Sequence, residues 1–316
     1  MGSFRVGRRT ALTTALLAAT AAACRNAEKQ ISGPIEIATG SPTAVYHRYG
    51  TAYGALIREA LPRTRPTVMI TAASGENIAL LERGTAHIGF AQADIVSSAS
   101  PGSIAALARL YDDCLHLVVR ADDPIWSVAD LRGRKVSIGE AGSGTEVTAG
   151  RLLSIAGQDS SGPAPMADVR VRRLGLNAST TALLERRIDA FFFSGGLPVA
   201  AIAQLRETLP LKLIDLQAYA MTMRQAFGDH YLERVIPISA YGMSPALGIG
   251  IPNYLVVATA MPRPTAHALT RVLFAGREHL AEAHPAGASL DRRSAISTPP
   301  LSLHPGAAQY YRSVKA

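Results

Sequence analysis

The feature that most constrains the fold of this chain is a regular alternation between short apolar runs and segments with helical periodicity. "IEIATG" predicts a strand that enters a glycine turn, and "AVYHRYGTAYGALIREAL" then places apolar residues at helical spacing. "TVMITAA", "GENIALLERG" and "HIGFAQA" continue as strand, helix and strand. Strands that alternate with helices predict an α/β fold in which helices flank a mostly parallel sheet.

Two segments of the chain resemble each other. "ALLERGTAHIGF" (79–90) and "ALLERRIDAFFF" (182–193) align without a gap and share six of twelve positions. In each, a predicted helix ends and a buried strand follows at the same offset. One interpretation is chance similarity in a chain rich in Ala, Leu and Arg. The other is two lobes of like topology that face a shared crevice at the carboxyl ends of their strands.

The order of the segments predicts a two-lobed clamshell with a hinge. We expect lobe 1 to comprise residues 35–117 and 246–316, and lobe 2 to comprise residues 118–245. A chain that leaves lobe 1 and later returns to it makes two linkers between the lobes, which is the basis of a hinge. Residues 25–34 are predicted to be a polar linker that precedes lobe 1.

The first 24 residues are typical of an export signal. "MGSFRVGRR" is positively charged, and the apolar run that follows spans roughly 14 residues, fewer than the ~20 that a membrane-spanning helix needs. The run ends in "TAAAC", where Cys24 matches the lipid-modified first residue of a bacterial lipoprotein. A cleaved signal with an incidental Cys24 is the alternative, and Arg8-Arg9 leaves twin-arginine export open. Either way, we expect an extracytoplasmic protein, anchored by lipid or soluble.

Composition argues against several classes of function. The net charge is +8, but aromatic residues make up 6% of the chain and do not alternate with basic clusters, which disfavours nucleic-acid binding. The eight histidines have no metal-ligand spacing. Cys114 is the only cysteine after Cys24, so neither an internal disulfide nor a cysteine metal site is expected, and Cys114 is predicted to lie in the core. We expect no metal and no cofactor.

Four polar segments stand at predicted strand ends: "TGSPTAVY" (39–46), "TAASGEN" (71–77), "GSGTEVT" (142–148) and "SGG" (194–196). A helix N-terminus has unpaired N–H groups and a partial positive charge, and stabilises an anion by ~0.3–1 kcal/mol, or up to ~2 kcal/mol when partly buried. Ser143 or Thr145 is placed to cap the third of these helices. A plain capped turn is the alternative for any one segment. Four convergent segments favour an anion site.

The anion is expected to be a carboxylate. "GEAGSGTE" lacks the Lys of a P-loop, and Gly142-x-Gly144 lacks the third Gly of a dinucleotide-binding turn. Glu146 in the first turn would repel a multiply charged phosphate. Ser143 does not lie in a G-x-S-x-G nucleophile elbow, so the sequence offers no catalytic constellation, and we expect a binding protein, not an enzyme.

These segments together resemble the TAXI-type solute receptors of TRAP transporters, from about Ile35 to Arg312. "GSGTEVTA" and "IDAFFFSGG" in this order carry the resemblance most specifically. It implies a type II periplasmic-binding-protein fold whose lobes close on an organic acid, typically an acidic or amide amino acid or a dicarboxylate. It also implies that the closed form docks on a membrane permease.

The resemblance implies ligand-binding roles at glycine turns, hydroxyls, amides and tyrosines. The positions are Gly40, Ser41, Tyr46, Ser74, Asn77, Gln92, Ser143, Gly144, Thr145, Gly195, Gly196 and Tyr241. The chain departs from the family in its first turn, where Thr43-Ala44-Val45 replace a Gly and a Thr. This difference predicts a smaller or more apolar pocket.

The function expected from the sequence is therefore capture of a small carboxylate and its delivery to a TRAP-type permease. A sensor that presents the same ligand to a membrane signalling partner is the main alternative. A binder of phosphate esters is another, and it requires Lys135 or Arg151 to reach the anion cradle.

Overall fold

The computed structural model describes residues 30–42, 44–156 and 168–314. The predicted signal, the Cys24 lipidation site, residues 25–29 of the linker and Thr43 lie outside the described residues. Within these ranges, no helix is both long enough and apolar enough to cross a lipid bilayer.

The described residues form one curled mixed sheet flanked by helices. The strands are β1 (Gly33–Ala38), β2 (Thr64–Met69), β3 (Ile88–Gln92), β4 (Ile104–Arg120), β5 (Lys135–Ser137), β6 (Arg170–Arg172), β7 (Ala190–Gly195), β8 (Leu211–Leu213), β9 (Leu232–Ile236) and β10 (Ala246–Ala258). The helices are α1 (Val45–Ala60), α2 (Ser74–Glu82), α3 (Gly144–Ala156), α4 (Leu176–Leu184), α5 (Ala200–Thr208), α6 (Gln217–Phe227), α7 (Ile238–Tyr241), α8 (Arg263–Ala275), α9 (Arg277–Ala283) and α10 (Pro305–Ser313).

The strand order has the same pattern when it is followed inward from either edge. The order is β2-β1-β3-β10-β4-β7-β5-β6, with β9 added to β10 and β8 added to β4. In one half β1 pairs in parallel with β2 and β3, and in the other half β5 pairs in parallel with β6 and β7. β3 and β7 are then each followed by an antiparallel strand, β10 or β4. The prediction of two lobes with like topology is confirmed.

Two long strands connect the halves. β4 has 17 residues and β10 has 13, and they pair with each other in antiparallel orientation. Residues 253–256 of β10 pair with β3, whereas residues 114–119 of β4 pair with β7. β10 therefore joins the first half through β3, β4 joins the second half through β7, and their pairing with each other connects the two halves. The antiparallel centre makes the sheet mixed, whereas the sequence predicted a mostly parallel one. The lobe boundaries after residues 117 and 245 stay a prediction.

The core forms where helices cover the sheet, and α1 shows why the local sequence selects a helix. Tyr46, Tyr49, Tyr53 and Ile57 recur every three or four residues and are all buried on one face of α1. Full burial of one such apolar side chain contributes about 1.5–3 kcal/mol. Cys114 is buried as predicted, and burial raises the pKa of its thiol to about 12.

Candidate functional site

A cavity of about 110 Å³ lies at the carboxyl ends of strands from both halves of the sheet. Its walls come from the turns that follow β1, β2, β5 and β6, from the ends of β3 and β7, and from the middle of β4. A site for one water needs about 10–15 Å³, so this cavity has room for a small molecule. Its position matches the crevice that the sequence predicts.

Four helices begin at the cavity wall. Val45 of α1, Ser74 of α2, Gly144 of α3 and Leu176 of α4 all belong to the lining. In α1, α2 and α4 the residue at the N-cap, which is Ala or Gly, makes no side-chain capping bond. N–H groups in these first turns are therefore left for a ligand, and the helix dipoles place partial positive charge at these points of the cavity wall.

The start of α3 is held in place by its own side chains. Ser143 Oγ accepts a hydrogen bond from the Glu146 N–H at 3.2 Å, so the prediction of a Ser143 cap is confirmed. Glu146 in turn accepts from the Gly142 N–H at 2.7 Å. Thr145 Oγ1 accepts from the Ser194 N–H at 3.1 Å, which fixes α3 against the end of β7.

The structure brings nine of the twelve predicted ligand-binding positions together in the cavity lining. They are Gly40, Ser41, Tyr46, Ser74, Gln92, Ser143, Gly144, Thr145 and Gly195. They lie far apart in the chain and meet because the strand ends of both halves converge.

Asn77 does not line the cavity. It is fully buried behind the start of α2, where its Nδ2 donates to Thr39 O at 2.7 Å and to Phe90 O at 2.8 Å. Its Oδ1 accepts from the Thr71 hydroxyl at 2.7 Å. Because these bonds join β1, β2 and β3 to α2, Asn77 is placed to hold the first lobe together instead of contacting a ligand.

Tyr241 also lies away from the cavity. Its hydroxyl accepts from the Val199 N–H at 2.9 Å and lies 2.9 Å from His116 Nε2. His116 Nδ1 is 3.1 Å from Phe193 O and must donate there, so Nε2 is the acceptor for the tyrosine. Burial lowers the pKa of His116 to about 4, which keeps this ring neutral. Tyr241 therefore fastens α7 to β4.

Gly196 lies behind the cavity. A Cβ on Gly196 would come within 3.1 Å of Ala286 Cβ and within 3.2 Å of the Tyr111 ring. This glycine permits close packing of the turn after β7, and it is absent from the cavity lining.

The residue that sequence reasoning missed is Asp113, in the middle of β4. It lines the cavity and is only 5% exposed. Its Oδ2 accepts from Gln92 Nε2 at 2.7 Å, and its Oδ1 has no hydrogen-bond partner among the described residues. Burial raises the pKa of Asp113 to about 7, although the amides of Gln92 and Asn253 favour the carboxylate. The available signal was "YDDC", two acids inside an otherwise apolar run.

Strand alternation separates the two acids. Tyr111 and Asp113 both line the cavity, as residues two apart on a strand share a face. Asp112 is on the opposite face, where its carboxylate pairs with Arg109 at 2.6 Å and Arg234 at 2.7 Å. Of these two acids, only Asp113 contributes its charge to the cavity.

Gln92 joins the two halves across the cavity. Its Nε2 donates to Ser194 Oγ at 2.7 Å as well as to Asp113. A Cβ on Gly144 would lie 1.7 Å from Gln92 Oε1, so only glycine fits at the start of α3 in this arrangement. Through these contacts β3 touches α3, and the two halves of the sheet meet across the cavity.

The charged residues of the described lining are Asp113 and the exposed Glu140; this lining contains no Lys, Arg or His. Lys135 and Arg151, which a phosphate-ester site requires, are not in it. Arg151 instead donates to the Tyr231 hydroxyl at 2.8 Å and to Asp94 O at 3.2 Å. The described residues also contain no group of three or more acidic, His or Cys side chains placed to hold a metal ion.

Residues 37–314 match the NMT1-like family. The chain belongs to the NMT1-like family. Among solved structures, it is similar to the periplasmic binding protein BugD, with a TM-score of 0.55 and 14% identity over 90% of this chain and 95% of BugD. It is also similar to the aliphatic sulphonate binding protein SsuA of Escherichia coli, with a TM-score of 0.52 and 14% identity over 90% and 84% of the two chains.

A third neighbour is XAC2383 from Xanthomonas citri bound to ATP, with a TM-score of 0.52 and 14% identity over 90% of this chain and 98% of XAC2383. At these identities, the likeness shows the fold. This NMT1-like protein therefore has the two-lobed type II fold of periplasmic solute-binding proteins, as the sequence predicts.

Proposed function

We propose that this NMT1-like protein is an extracytoplasmic receptor that captures a small carboxylate and delivers it to a TRAP-type permease. The observation that carries the proposal is the convergence of four helix N-termini on one cavity. α1 and α2 belong to the first predicted lobe, and α3 and α4 belong to the second. A ligand held by N–H groups from both would favour the closed form.

A singly charged carboxylate suits the cavity better than a phosphate. Helix N–H groups and the hydroxyls of Ser41 and Ser74 can bind two carboxylate oxygens without a cationic side chain. A phosphate would bring a larger charge toward Asp113 and Glu140, and no basic residue of the described lining offsets it.

The mechanism is binding coupled to hinge closure. A ligand shifts the protein toward the closed form only by the difference in its affinity for the two forms. In the closed form, the first turns of four helices face the cavity together, whereas in an open form only two would face any one ligand. The two long strands that pass between the halves are the elements on which the hinge would bend.

The proposals of a permease partner and of a membrane anchor rest on the sequence. The resemblance to TAXI receptors supports a TRAP-type partner, and "TAAAC" supports lipidation at Cys24. We assign the protein to the outer face of the cell membrane, with docking to the permease in the closed form and with no chemical turnover of the solute.

The proposal is tested by native mass spectrometry of the mature protein, followed by thermal shift against organic acids, amino acids, dicarboxylates and phosphate esters. A ligand that binds only the folded state adds about 2.7 kcal/mol of stability at 100 times its dissociation constant. We expect a carboxylate to copurify and to raise the melting temperature. Stabilisation by phosphate esters alone, or conversion of the acid during the assay, would overturn the proposal.

Two glycines of α3 connect this binding to the described cavity. Gly144→Ala should abolish stabilisation by the carboxylate, because its methyl group would overlap Gln92 in the closed form. Gly150→Ala is the matched control, since a Cβ there meets no atom within 4 Å. Equal ligand stabilisation in both variants would place the site elsewhere.

A further inference from the structure

We propose that Asp113 binds a cationic amino group of the solute, so that the receptor selects a zwitterionic amino acid over a dicarboxylate. This inference rests on the proposed function, because it assigns a second contact to the same ligand. It makes Asp113 the residue that determines which carboxylates are accepted.

The first reason is the unused oxygen of Asp113. Oδ2 is occupied by Gln92 Nε2, whereas Oδ1 is buried in the cavity wall and makes no hydrogen bond among the described residues. The Asn253 amide lies near Asp113 but donates its hydrogen bond to Ile251 O at 3.3 Å. Buried polar groups are as a rule hydrogen-bonded, and an unpaired one costs about 1–3 kcal/mol. A solute that brings an N–H donor to Oδ1 removes this cost.

The second reason is the balance of charge. The helix N-termini offer partial positive charge, which one carboxylate of the solute can satisfy. The charged side chains of the described lining, Asp113 and Glu140, are both acidic. A second carboxylate on the solute would be repelled by them, while an ammonium group would be attracted. A zwitterion fits both parts of the cavity.

The third reason is the aromatic surroundings of Asp113. Tyr46, Tyr111 and Phe193 line the same cavity, and an ammonium group interacts favourably with aromatic faces. The pKa values of Tyr46 and Tyr111 are raised, mainly by burial and further by the charge of Asp113. Both phenols therefore stay neutral, and both lie close enough to Asp113 for its charge to raise their pKa values.

The protonation state of Asp113 separates two modes of binding. With a pKa of about 7, its carboxyl group is available in both forms near neutral pH. An ammonium ligand requires the carboxylate, so its affinity should rise with pH between about 6 and 8. A ligand carboxylate bound by protonated Asp113 would show the opposite trend. The titratable groups that interact with Asp113 are Asp112, Asp94, Tyr46, Tyr111 and Cys114.

The experiment compares acids that differ only by the amino group. The pairs are L-alanine and propionate, L-serine and 3-hydroxypropionate, and L-glutamate and glutarate, titrated calorimetrically into the mature protein at pH 6, 7 and 8. We expect the amino acid of at least one pair to bind at least tenfold more tightly than its partner, with affinity that rises with pH.

Asp113→Asn should remove most of this preference, because its side chain still accepts from Gln92 but no longer carries a charge. Asp112→Asn is the matched control on the opposite face of β4 and should keep the preference. Tighter binding of the deaminated acids, or an unchanged preference in Asp113→Asn, would overturn the role of Asp113 while leaving a carboxylate receptor. Binding of neither member of any pair, with stabilisation by phosphate esters, would overturn both.

Discussion

Thr148 donates its hydroxyl to Asp94 Oδ2 across the cleft, with an oxygen–oxygen distance of 2.7 Å. Thr148 lies on α3 in the second predicted lobe, and Asp94 follows β3 in the first. The Tyr231 hydroxyl donates to the same carboxylate oxygen at 2.9 Å. This buried pair is outside the cavity lining, so it can stabilise the closed form without touching a ligand.

We therefore expect Thr148→Val to weaken binding without altering the cavity. Loss of one hydrogen bond that exists only in the closed form should cost about 1 kcal/mol, or roughly fivefold in dissociation constant. Isothermal titration with the acid identified by the thermal-shift screen measures this. Thr181→Val is the control, because the Thr181 hydroxyl donates to Asn177 O within its own helix and reaches no other lobe. Equal affinity of both variants would show that the Thr148 bond does not hold the lobes closed.

Asn77→Ala should act on stability. The substitution leaves the buried carbonyls of Thr39 and Phe90 without their donor, and we expect a loss of about 2–4 kcal/mol in the free energy of unfolding. Chemical denaturation of the ligand-free protein measures it, with the exposed Asn177→Ala as control. Unchanged stability together with lost ligand binding would restore Asn77 to the ligand site.

Asp113 should make the ligand-free protein less stable as pH rises. Its pKa is about 7 in the folded protein and 3.8 as the ordinary value, so the folded state holds the proton more tightly. The favourable contribution is complete below pH 4 and is lost as pH rises toward 7, a change of about 4 kcal/mol at most.

His116 acts in the opposite direction, because its lowered pKa removes stability as pH falls below about 6.5. The quantity to measure is therefore the difference in unfolding free energy between Asp113→Asn and the wild type, from pH 4.5 to 8. We expect the variant to gain relative stability as pH rises. A difference that does not vary with pH would show that Asp113 titrates normally.

Cys24→Ser should release the protein from the membrane fraction if Cys24 carries the lipid. Cys114→Ala is the control, because Cys114 is the other cysteine of the chain and lies in the core. Immunoblots of membrane and soluble fractions report the outcome. A Cys24→Ser protein that stays with the membrane would refute the lipid anchor.

Much of the fold could be predicted because it is encoded by neighbouring residues. The spacing of Tyr46, Tyr49 and Tyr53 specifies a helix with one buried face. "GSGTE" specifies a turn and a capped helix start through Ser143 and Glu146. The repeated helix–turn–strand unit revealed two lobes of like topology, since both copies carry the same local pattern.

The site residues also divide into those that the local sequence identifies and those that it does not. Glycines and hydroxyls at helix starts were found from sequence because turn chemistry is local. Asp113 was missed, and Asn77 and Tyr241 lie outside the cavity lining. Their positions depend on partners distant in the chain: Gln92 for Asp113, Thr39 and Phe90 for Asn77, and His116 for Tyr241.

By itself, then, the sequence determined the alternation of elements, the two similar halves and the helix starts that can receive an anion. Only the tertiary structure decided which face of β4 lines the cavity. It also decided which polar side chains already have hydrogen-bond partners within the protein. The physical reason is that a strand has two faces, and only pairing with β7 and β10, which are distant in the chain, selects the one that carries Asp113 into the cleft.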